Sequence, residues 1–128
     1  MTTTTRTRQV VGEFHAARAA GDMEAAGAHL AASFTFQSPL MRFDDPAAYL
    51  AGHGDFQRLV TGLDMISELY GEGEATLIYD LHTATPAGTQ RTAEHLTVSD
   101  DGIASILLIF DASPWRPMLA ALGVIDAS

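Results

Sequence analysis

The chain changes character near its middle, from helical spacing of apolar residues to the alternation that is typical of strands. Residues 8–20 place apolar side chains three or four positions apart, which predicts a helix. Gly21 ends this helix, and Asp22 is suited to cap a second one over 23–32. The preceding residues 1–7 are mostly threonine, and we expect a flexible tail there.

A short strand and a third helix complete the first half. Phenylalanines alternate with polar residues over 33–40, which predicts a strand that stops near Pro39. Asp45 and Pro46 have the character of an N-cap and a first helical residue, so a third helix is expected to begin there. Two glycines within 52–54 predict an interruption of that helix.

The second half predicts an antiparallel sheet. Turns rich in Pro, Gly and Asp separate its apolar segments, as they do in hairpins. Helices grouped ahead of such strands indicate an α+β fold, with the helices packed on one face of a curved sheet. The predicted strands are 63–74, 75–85, 89–98 and 103–112, followed by a short helix over 114–123 with Gly123 as its stop.

The segment IASILLIF at 103–110 is apolar on both faces, whereas a strand with one solvated face should alternate. Both faces are therefore expected to be buried. The helices, or a pocket, can account for one face. The other face is covered either by the C-terminal helix or by a second copy of the chain, which would be a homodimer through the outer sheet face.

Composition and charge restrict the class of protein. The chain has 128 residues, of which 47% are hydrophobic and 18% charged, and this suits one folded domain. Its formal charge of −9 opposes binding to nucleic acid or to an anionic membrane. It has no cysteine for a disulfide or a thiolate metal site. No apolar run is long enough to span a bilayer and the start lacks a secretory signal, so we expect a cytoplasmic protein.

Two polar residues interrupt the strand-like segment LIYDLHTAT at 77–85. Asp80 and His82 lie two positions apart, and side chains at that spacing point to the same face of a strand. If Ala87 is the centre of the following turn, Asp80 pairs with Glu94 across the hairpin, on the same face as His82. The three side chains then either decorate a solvated face or line a pocket.

A buried cluster of two carboxyl groups and an imidazole would be suited to acid–base chemistry. Desolvation and mutual repulsion would raise the pKa of at least one of the carboxyl groups. An imidazole beside them could exchange a proton. Under this interpretation Asp80, His82 and Glu94 are the candidate catalytic residues, with Glu94 as the acid and His82 or Asp80 as the base.

The order of elements and two longer segments resemble the SnoaL-like branch of the nuclear transport factor 2-like superfamily. The segments are GEFHAARAAGDMEAAGAHLAASFTFQSP at 12–39 and EHLTVSDDGIASILLIFD at 94–111. The resemblance covers nearly the whole chain as a single domain. It implies a cone of curved sheet and helices around a deep pocket, often dimeric through the outer sheet face. Isomerases, cyclases, dehydratases, epoxide hydrolases and non-catalytic binders share this fold, so function depends on the pocket.

Steroid isomerases of this fold carry a tyrosine on the first helix, a catalytic aspartate before a proline and a protonated acid near the last turn. The corresponding positions here are Phe14, Ser38 and Glu94. Two of the three polar groups are replaced, which opposes that chemistry in its usual form. The resemblance places Glu94 inside the cone.

Limonene-type epoxide hydrolases carry an Arg-x-Asp pair on the third strand and an aspartate on the last strand. These positions correspond to Asp80, His82 and Leu108, so that arrangement is not kept either. The comparison nevertheless places Asp80 and His82 inside the cone. Together with the hairpin pairing, it favours a pocket over a solvated face.

The same resemblance and the aromatic residues predict a substrate-binding wall. His53, within the Gly-His-Gly of 52–54, is a candidate for the pocket mouth, although a solvated loop histidine is the commoner case. We expect neither a metal nor a cofactor, because there is no His-Glu-x-x-His motif, cysteine set or phosphate-binding loop. The candidate substrate-binding residues are Phe14, Ser38, His53, Leu108 and Trp115.

Two hypotheses for function follow. The first is a cofactor-free acid–base enzyme (an isomerase, dehydratase, cyclase or hydrolase) that acts on a hydrophobic small molecule. The second is a non-catalytic ligand-binding or protein-association module of the same fold. The Asp80, His82 and Glu94 cluster favours the first, and loss of the tyrosine and aspartate positions favours the second.

Overall fold

The computed structural model describes residues 3–121 and has the predicted α+β architecture, with helices packed on one face of a curved, open sheet. The helices are α1 (Thr4–Ala19), α2 (Met23–Gly27), α3 (Pro46–Gln57) and α4 (Arg116–Ala121). The strands are β1 (Leu30–Gln37), β2 (Arg42–Phe43), β3 (Val60–Tyr70), β4 (Glu74–Thr83), β5 (Thr89–Ser99) and β6 (Gly102–Ile109).

The six strands form one sheet in the order β2-β1-β6-β5-β4-β3. All neighbours are antiparallel except β1 and β6, which run parallel. The core lies between the inner face of this sheet and the helices, where apolar side chains from both are removed from water. Its largest fully buried apolar members are Tyr49, Phe14, Phe34, Leu77, Leu96, Ile103 and Ile106.

The helix boundaries follow local capping chemistry, as predicted. Gly21 adopts a left-handed φ of 78° directly after α1, where a side chain would be disfavoured. The Asp22 carboxylate accepts a hydrogen bond from the Ala25 amide at the start of α2. Asp45 does the same for the Ala48 amide at the start of α3.

The predicted flexible tail is wrong for the described part of residues 1–7. Helix α1 already begins at Thr4, and the Thr3 hydroxyl caps it by accepting from the Arg6 amide. Thr7 is fully buried, and its hydroxyl oxygen accepts from the Gly73 amide at 3.0 Å. A threonine-rich stretch can therefore be helical where tertiary contacts hold its hydroxyl groups.

Two further element predictions are corrected. Helix α2 ends at Gly27 rather than near residue 32, because the chain from Leu30 onward pairs with β6. Helix α3 continues through 52–54 without interruption. A Cβ atom on Gly52 would lie 2.9 Å from the Phe43 ring, so this glycine allows the helix to approach β2 closely.

The two faces of β6 differ in exposure. Ile103 and Ile106 are buried against the core, whereas Leu107 and Ile109 are 40% and 55% exposed on the outer face of the sheet. Within the described residues no helix covers that outer face, so the expected burial of both faces is not met in one copy of the chain. The predicted end of the C-terminal helix at Gly123 lies outside residues 3–121. No helix within that range is long and apolar enough to cross a membrane.

Candidate functional site

An ion pair between Arg18 and Glu94 lies at the centre of the interior. The two terminal guanidinium nitrogens of Arg18 donate to the two carboxylate oxygens of Glu94, at 2.6 and 2.7 Å. Glu94 is fully buried and Arg18 is 6% exposed. A pair in this geometry is strong and directional, because two parallel charge-assisted hydrogen bonds fix both side chains.

Three further side chains complete the hydrogen bonding of this ion pair. The Tyr79 hydroxyl donates to Glu94 at 2.9 Å. Arg18 donates to the Tyr49 hydroxyl and to Nδ1 of His15, each at 3.2 Å. We refer to these five residues, Arg18, Glu94, Tyr79, Tyr49 and His15, as the interior cluster.

The secondary structure positions each member of the interior cluster. Val11, Phe14 and Arg18 lie along the buried stripe of α1, three or four residues apart. On the sheet, Glu94 of β5 lies opposite Leu77 of β4, and Tyr79 is two residues further along β4. All three side chains face inward. Helix α1 therefore brings its one buried cation directly over the buried carboxylate of β5.

The environment determines the charges of the interior cluster. Desolvation raises the pKa of Glu94, but the Arg18 charge and the hydrogen bonds from Arg18 and Tyr79 outweigh it, so that pKa lies below its ordinary value. Burial raises the pKa of Tyr49 and, together with the Glu94 charge, that of Tyr79. Burial and the Arg18 charge lower the pKa of His15. At neutral pH the cluster is one ion pair surrounded by neutral groups.

A row of aromatic rings extends from the interior cluster towards the C-terminal segment. The His53 ring stacks on Tyr49 at 5.6 Å between centroids, and Phe56 contacts His53 at 5.8 Å and Trp115 at 5.6 Å. Desolvation, followed by the Arg18 charge, lowers the pKa of His53 to about 3, so its ring is neutral near pH 7. We call His53, Phe56 and Trp115 the aromatic row.

Two polar atoms of the aromatic row are buried without a hydrogen-bond partner among the described residues, namely Nε2 of His53 and Nε1 of Trp115. More than nine-tenths of buried polar groups in proteins are paired, so an unpaired one requires an explanation. A bound water or ligand is the ordinary explanation. The aromatic row is therefore the part of the interior where hydrogen-bonding capacity is unused.

Asp80 and His82 share one face of β4, as predicted, but Glu94 is not on that face and the structure does not bring the three together. Asp80 lies opposite Arg91 rather than Glu94, so the register differs from the predicted one by three residues. Because side chains alternate between the two faces of a sheet, a shift by an odd number of residues places Asp80 and Glu94 on opposite faces. Asp80 forms a bidentate pair with Arg91 on the outer face, at 2.9 and 3.0 Å. His82 also lies outside, where its two ring nitrogens contact Thr89 and Asp64, each at 2.8 Å.

The hairpin loop accounts for the difference in register. Both the amide and the hydroxyl of Thr83 donate to the Gly88 carbonyl, at 3.2 and 2.7 Å. Gly88 has a φ of 65°, which favours glycine. The loop therefore spans 84–87 and is centred between Thr85 and Pro86 rather than on Ala87.

The expected role of Glu94 also changes, although its interior position is confirmed. The pKa of Glu94 was expected to be raised by a second carboxyl group nearby. The neighbouring charged group is instead the Arg18 guanidinium. The pKa of Glu94 is lowered for that reason, so it is ionised and is not a proton donor.

The five predicted substrate-binding residues fall into two groups. Phe14 lies under the Arg18 guanidinium at 4.8 Å, Leu108 is opposite Glu94 on β6, and His53 and Trp115 belong to the aromatic row. Ser38 is separate, because its hydroxyl accepts from the amides of residues 40 and 41 and closes the turn after β1. A structural role therefore accounts for Ser38.

Arg18 and Tyr79 are the main residues that the sequence interpretation missed as site residues. The signal for Arg18 was present, since it continues the apolar stripe of Val11 and Phe14, where an arginine requires a buried partner. Tyr79 could not be recognised without the correct hairpin register, because that register decides which side chains of β4 lie beside Glu94.

Two other features of the described residues bear on where a site could lie. A surface groove of about 820 Å³ lies between the end of α1, α2 and α3, and its lining includes no member of the interior cluster. Among residues 3–121, no group of three His, Cys, Asp or Glu side chains could hold a metal ion.

No protein-family model and no curated protein matches the sequence. Among solved structures, a protein from Kribbella flavida DSM 17836 is 30% identical, with 90% of this chain and 94% of that chain covered and a TM-score of 0.79. An NTF2-like protein from Cytophaga hutchinsonii ATCC 33406 is 22% identical (85% and 93% covered, TM-score 0.73). A protein from Sinorhizobium meliloti described as a candidate polyketide cyclase is 13% identical (82% and 97% covered, TM-score 0.72), which shows a shared fold. The chain therefore shares its fold with NTF2-like proteins, and this is the cone-shaped α+β fold that the sequence resemblance implied.

Proposed function

We propose that this protein binds a hydrophobic small molecule inside the cone, against the aromatic row. The observation that carries the proposal is the pair of buried, unpartnered nitrogens on His53 and Trp115. Aromatic walls with a few convergent polar atoms are the usual composition of a small-molecule site. Phe56 lies between the two polar side chains and provides the apolar surface.

The charges of the interior favour binding over proton transfer in the ligand-free state. General acid–base catalysis at neutral pH is most effective with a group whose pKa lies near 7. Here the pKa of His53 is about 3, that of Glu94 is lowered, and those of Tyr49 and Tyr79 are raised. Each group therefore holds its proton too tightly or too weakly to transfer it efficiently at neutral pH. A ligand-binding module without catalysis is the function that this site supports best.

A thermal-shift screen with hydroxyaromatic compounds and aromatic ketones tests the proposal. A ligand at a hundredfold excess over its Kd should raise the melting temperature by roughly 10 °C. Trp115 is the single tryptophan of the chain, so its indole N–H gives one resonance in a ¹⁵N correlation spectrum. The proposal requires at least one compound that raises the melting temperature and shifts this resonance, and it fails if none does both.

A cofactor-free acid–base enzyme is the second candidate. It is favoured by the connected hydrogen bonds from Tyr79 through Glu94 and Arg18 to His15, which could relay polarisation to a bound molecule. The test is exchange of the α-protons of 2-tetralone with D₂O, followed by NMR. An enzyme of this class should accelerate the exchange over buffer, and the Tyr79→Phe variant, which removes the first hydrogen bond of this network, should lose the acceleration. Binding of 2-tetralone without acceleration would reject this candidate and leave the binding module.

We also propose a homodimer through the outer sheet face. Leu69, Thr76, His95 and Leu107 lie opposite one another across β3, β4, β5 and β6, and therefore share that face. Leu69, Leu107 and Ile109 are 66%, 40% and 55% exposed there. Exposed apolar side chains that cluster on one surface are typical of protein interfaces.

A further inference from the structure

The interior is closed to solvent by the residues that the structure describes. Four of the five members of the interior cluster are less than a tenth exposed, namely Arg18, Glu94, Tyr79 and Tyr49. Two cavities, of about 820 and 170 Å³, lie elsewhere within residues 3–121, because their walls include no member of the interior cluster or of the aromatic row. A small molecule can therefore reach the interior only after a neighbouring segment has moved.

Residues 112–121 cover the end of the aromatic row. The chain turns sharply after β6, where one backbone carbonyl accepts from the amides of both Trp115 and Arg116, at 3.0 and 3.1 Å. The Trp115 ring then lies against Phe56 of α3 and is 5% exposed. Arg116 donates to the Pro39 carbonyl, at 3.1 Å, in the turn between β1 and β2. The segment therefore extends from α3 to that turn.

The attachment of the 112–121 segment to the rest of the fold is weak. Its one hydrogen bond to residues 3–110 is the exposed contact from Arg116 to Pro39. Helix α4, which forms most of the segment, buries none of its residues. The ring of Trp115 therefore provides the main buried contact of the segment.

The start of α1 is attached more firmly, at the other end of the described chain. Arg6 donates to the carbonyls of Ser99 and Asp100 at 3.0 and 2.9 Å. The fully buried Thr7 accepts from the Gly73 amide. These hydrogen bonds fix α1 to the turns before β4 and β6. Of the two ends, the 112–121 segment is the one suited to move.

The closed position of Trp115 combines a favourable and an unfavourable contribution. Burial of its large ring against Phe56 favours the closed position. Its indole N–H is buried without an acceptor among the described residues, which is costly. Water can accept from this N–H once the ring is exposed, so part of the free-energy cost of opening is offset.

We propose that residues 112–121 form a lid, which opens when Trp115 leaves Phe56 and Arg116 leaves Pro39 while the remaining fold stays intact. Segments with few buried contacts open at a lower free energy than the core of the same protein. Control of ligand entry by this lid rests on the proposed binding function. The opening itself occurs in the ligand-free protein and can be measured there.

Hydrogen exchange in the ligand-free protein tests the opening. The indole N–H of Trp115 exchanges with D₂O only when solvent reaches it, and the backbone amides of β5, inside the sheet, report unfolding of the whole domain. We expect the state that exposes Trp115 to be at least about a hundredfold more populated than the state that exposes the β5 amides. Equal populations would overturn the lid, because Trp115 would then be exposed only by complete unfolding.

The Arg116→Ala variant tests the contact that holds the lid closed. Loss of its hydrogen bond to Pro39 should raise the exchange rate of the Trp115 indole N–H by roughly fivefold. Arg42→Ala is the matched control, because Arg42 is also exposed and lies on neighbouring β2, but it pairs with Asp44. An unchanged rate in Arg116→Ala, or an equal increase in both variants, would overturn the role of Arg116.

Stopped-flow fluorescence of Trp115 with 2-naphthol as the probe tests control of entry. The association rate constant should increase in Arg116→Ala in proportion to the population of the open state, by roughly fivefold. Equal association rate constants in the parent chain and the variant would overturn control of entry by the lid. Absence of 2-naphthol binding to both proteins would instead count against the binding function, while the exchange experiment still decides whether the segment opens.

Discussion

The Arg18–Glu94 pair explains the arrangement of the polar residues around it. Burying two ions costs several kcal/mol each, and the pair is tolerated only when hydrogen bonds satisfy both partners. Tyr79 and Tyr49 contribute those hydrogen bonds from β4 and α3. Arg18 and Glu94 therefore depend on each other and on the tyrosine hydroxyl groups that contact them.

Removal of one ion should be strongly destabilising. In Arg18→Met, the apolar stem is kept and Glu94 is left buried without its cation, so we expect a loss of about 3–5 kcal/mol in the free energy of unfolding. Arg91→Met is the matched control, because Arg91 also forms a bidentate ion pair, with Asp80 on the outer face. Chemical denaturation should show a much smaller loss for the control. Similar losses in both variants would contradict a buried location for Arg18.

His53 should make the protein sensitive to acid. Its pKa is about 3 in the folded state and near 6.5 when unfolded, so below pH 6.5 the unfolded state binds a proton that the folded state does not. Stability should therefore be full above pH 6.5 and fall as the pH decreases towards 3. His53→Phe should reduce the loss between pH 7 and pH 5 by about 2 kcal/mol.

Denaturation series at pH 8, 7, 6 and 5 would measure this effect. Glu94 does not interfere in that window, because its lowered pKa removes stability only at more acidic pH. The variant and the parent chain should keep a constant difference between pH 8 and pH 7. Parallel curves down to pH 5 would show that His53 is not desolvated.

At the scale of elements, the turn before β6 depends on one glycine. Gly102 has a φ of 133°, and a Cβ atom there would lie 2.5 Å from the His29 carbonyl oxygen. The same carbonyl accepts from the Ile103 amide at 2.8 Å and joins the start of β6 to the end of the α2 region. This close backbone contact explains why glycine follows Asp101 in the segment 94–111.

Gly102→Ala should destabilise the protein by more than about 2 kcal/mol, since neither the strained φ nor the backbone contact can relax easily. Gly12→Ala is the matched control, because a Cβ atom added to Gly12, in the middle of α1, would meet no neighbouring residue within 4 Å. That substitution should stabilise the helix by about 0.5–1 kcal/mol. Thermal denaturation of the two variants should therefore shift in opposite directions.

The elements that the sequence predicted best are those with local signals. Asp22 and Asp45 cap helices by side-chain contacts three residues away, which can be inferred without tertiary structure. The register of β4 and β5 could not be inferred in this way, because hydrogen bonds between Thr83 and Gly88 set the loop. An error in that one loop moved Asp80 and His82 to the wrong face and hid Tyr79.

At the scale of the whole molecule, the proposed homodimer uses the outer sheet face. Leu107→Glu places a charge in the middle of that face and should shift the protein towards monomer in sedimentation velocity. Leu59→Glu is the matched control, since Leu59 is 41% exposed, close to the 40% of Leu107, but precedes β3. A parent chain that is monomeric at micromolar concentration would contradict the dimer.

We propose that ligand binding depends on the interior cluster and the aromatic row rather than on Asp80 and His82. The most direct test is the Kd of the tightest compound from the screen for two matched variants, His53→Phe inside the cone and His82→Phe on the outer face. Loss of the Nε2 hydrogen bond should raise the Kd about fivefold to tenfold in His53→Phe, with no change in His82→Phe. A Kd that changes in His82→Phe and stays constant in His53→Phe would contradict ligand binding at the aromatic row.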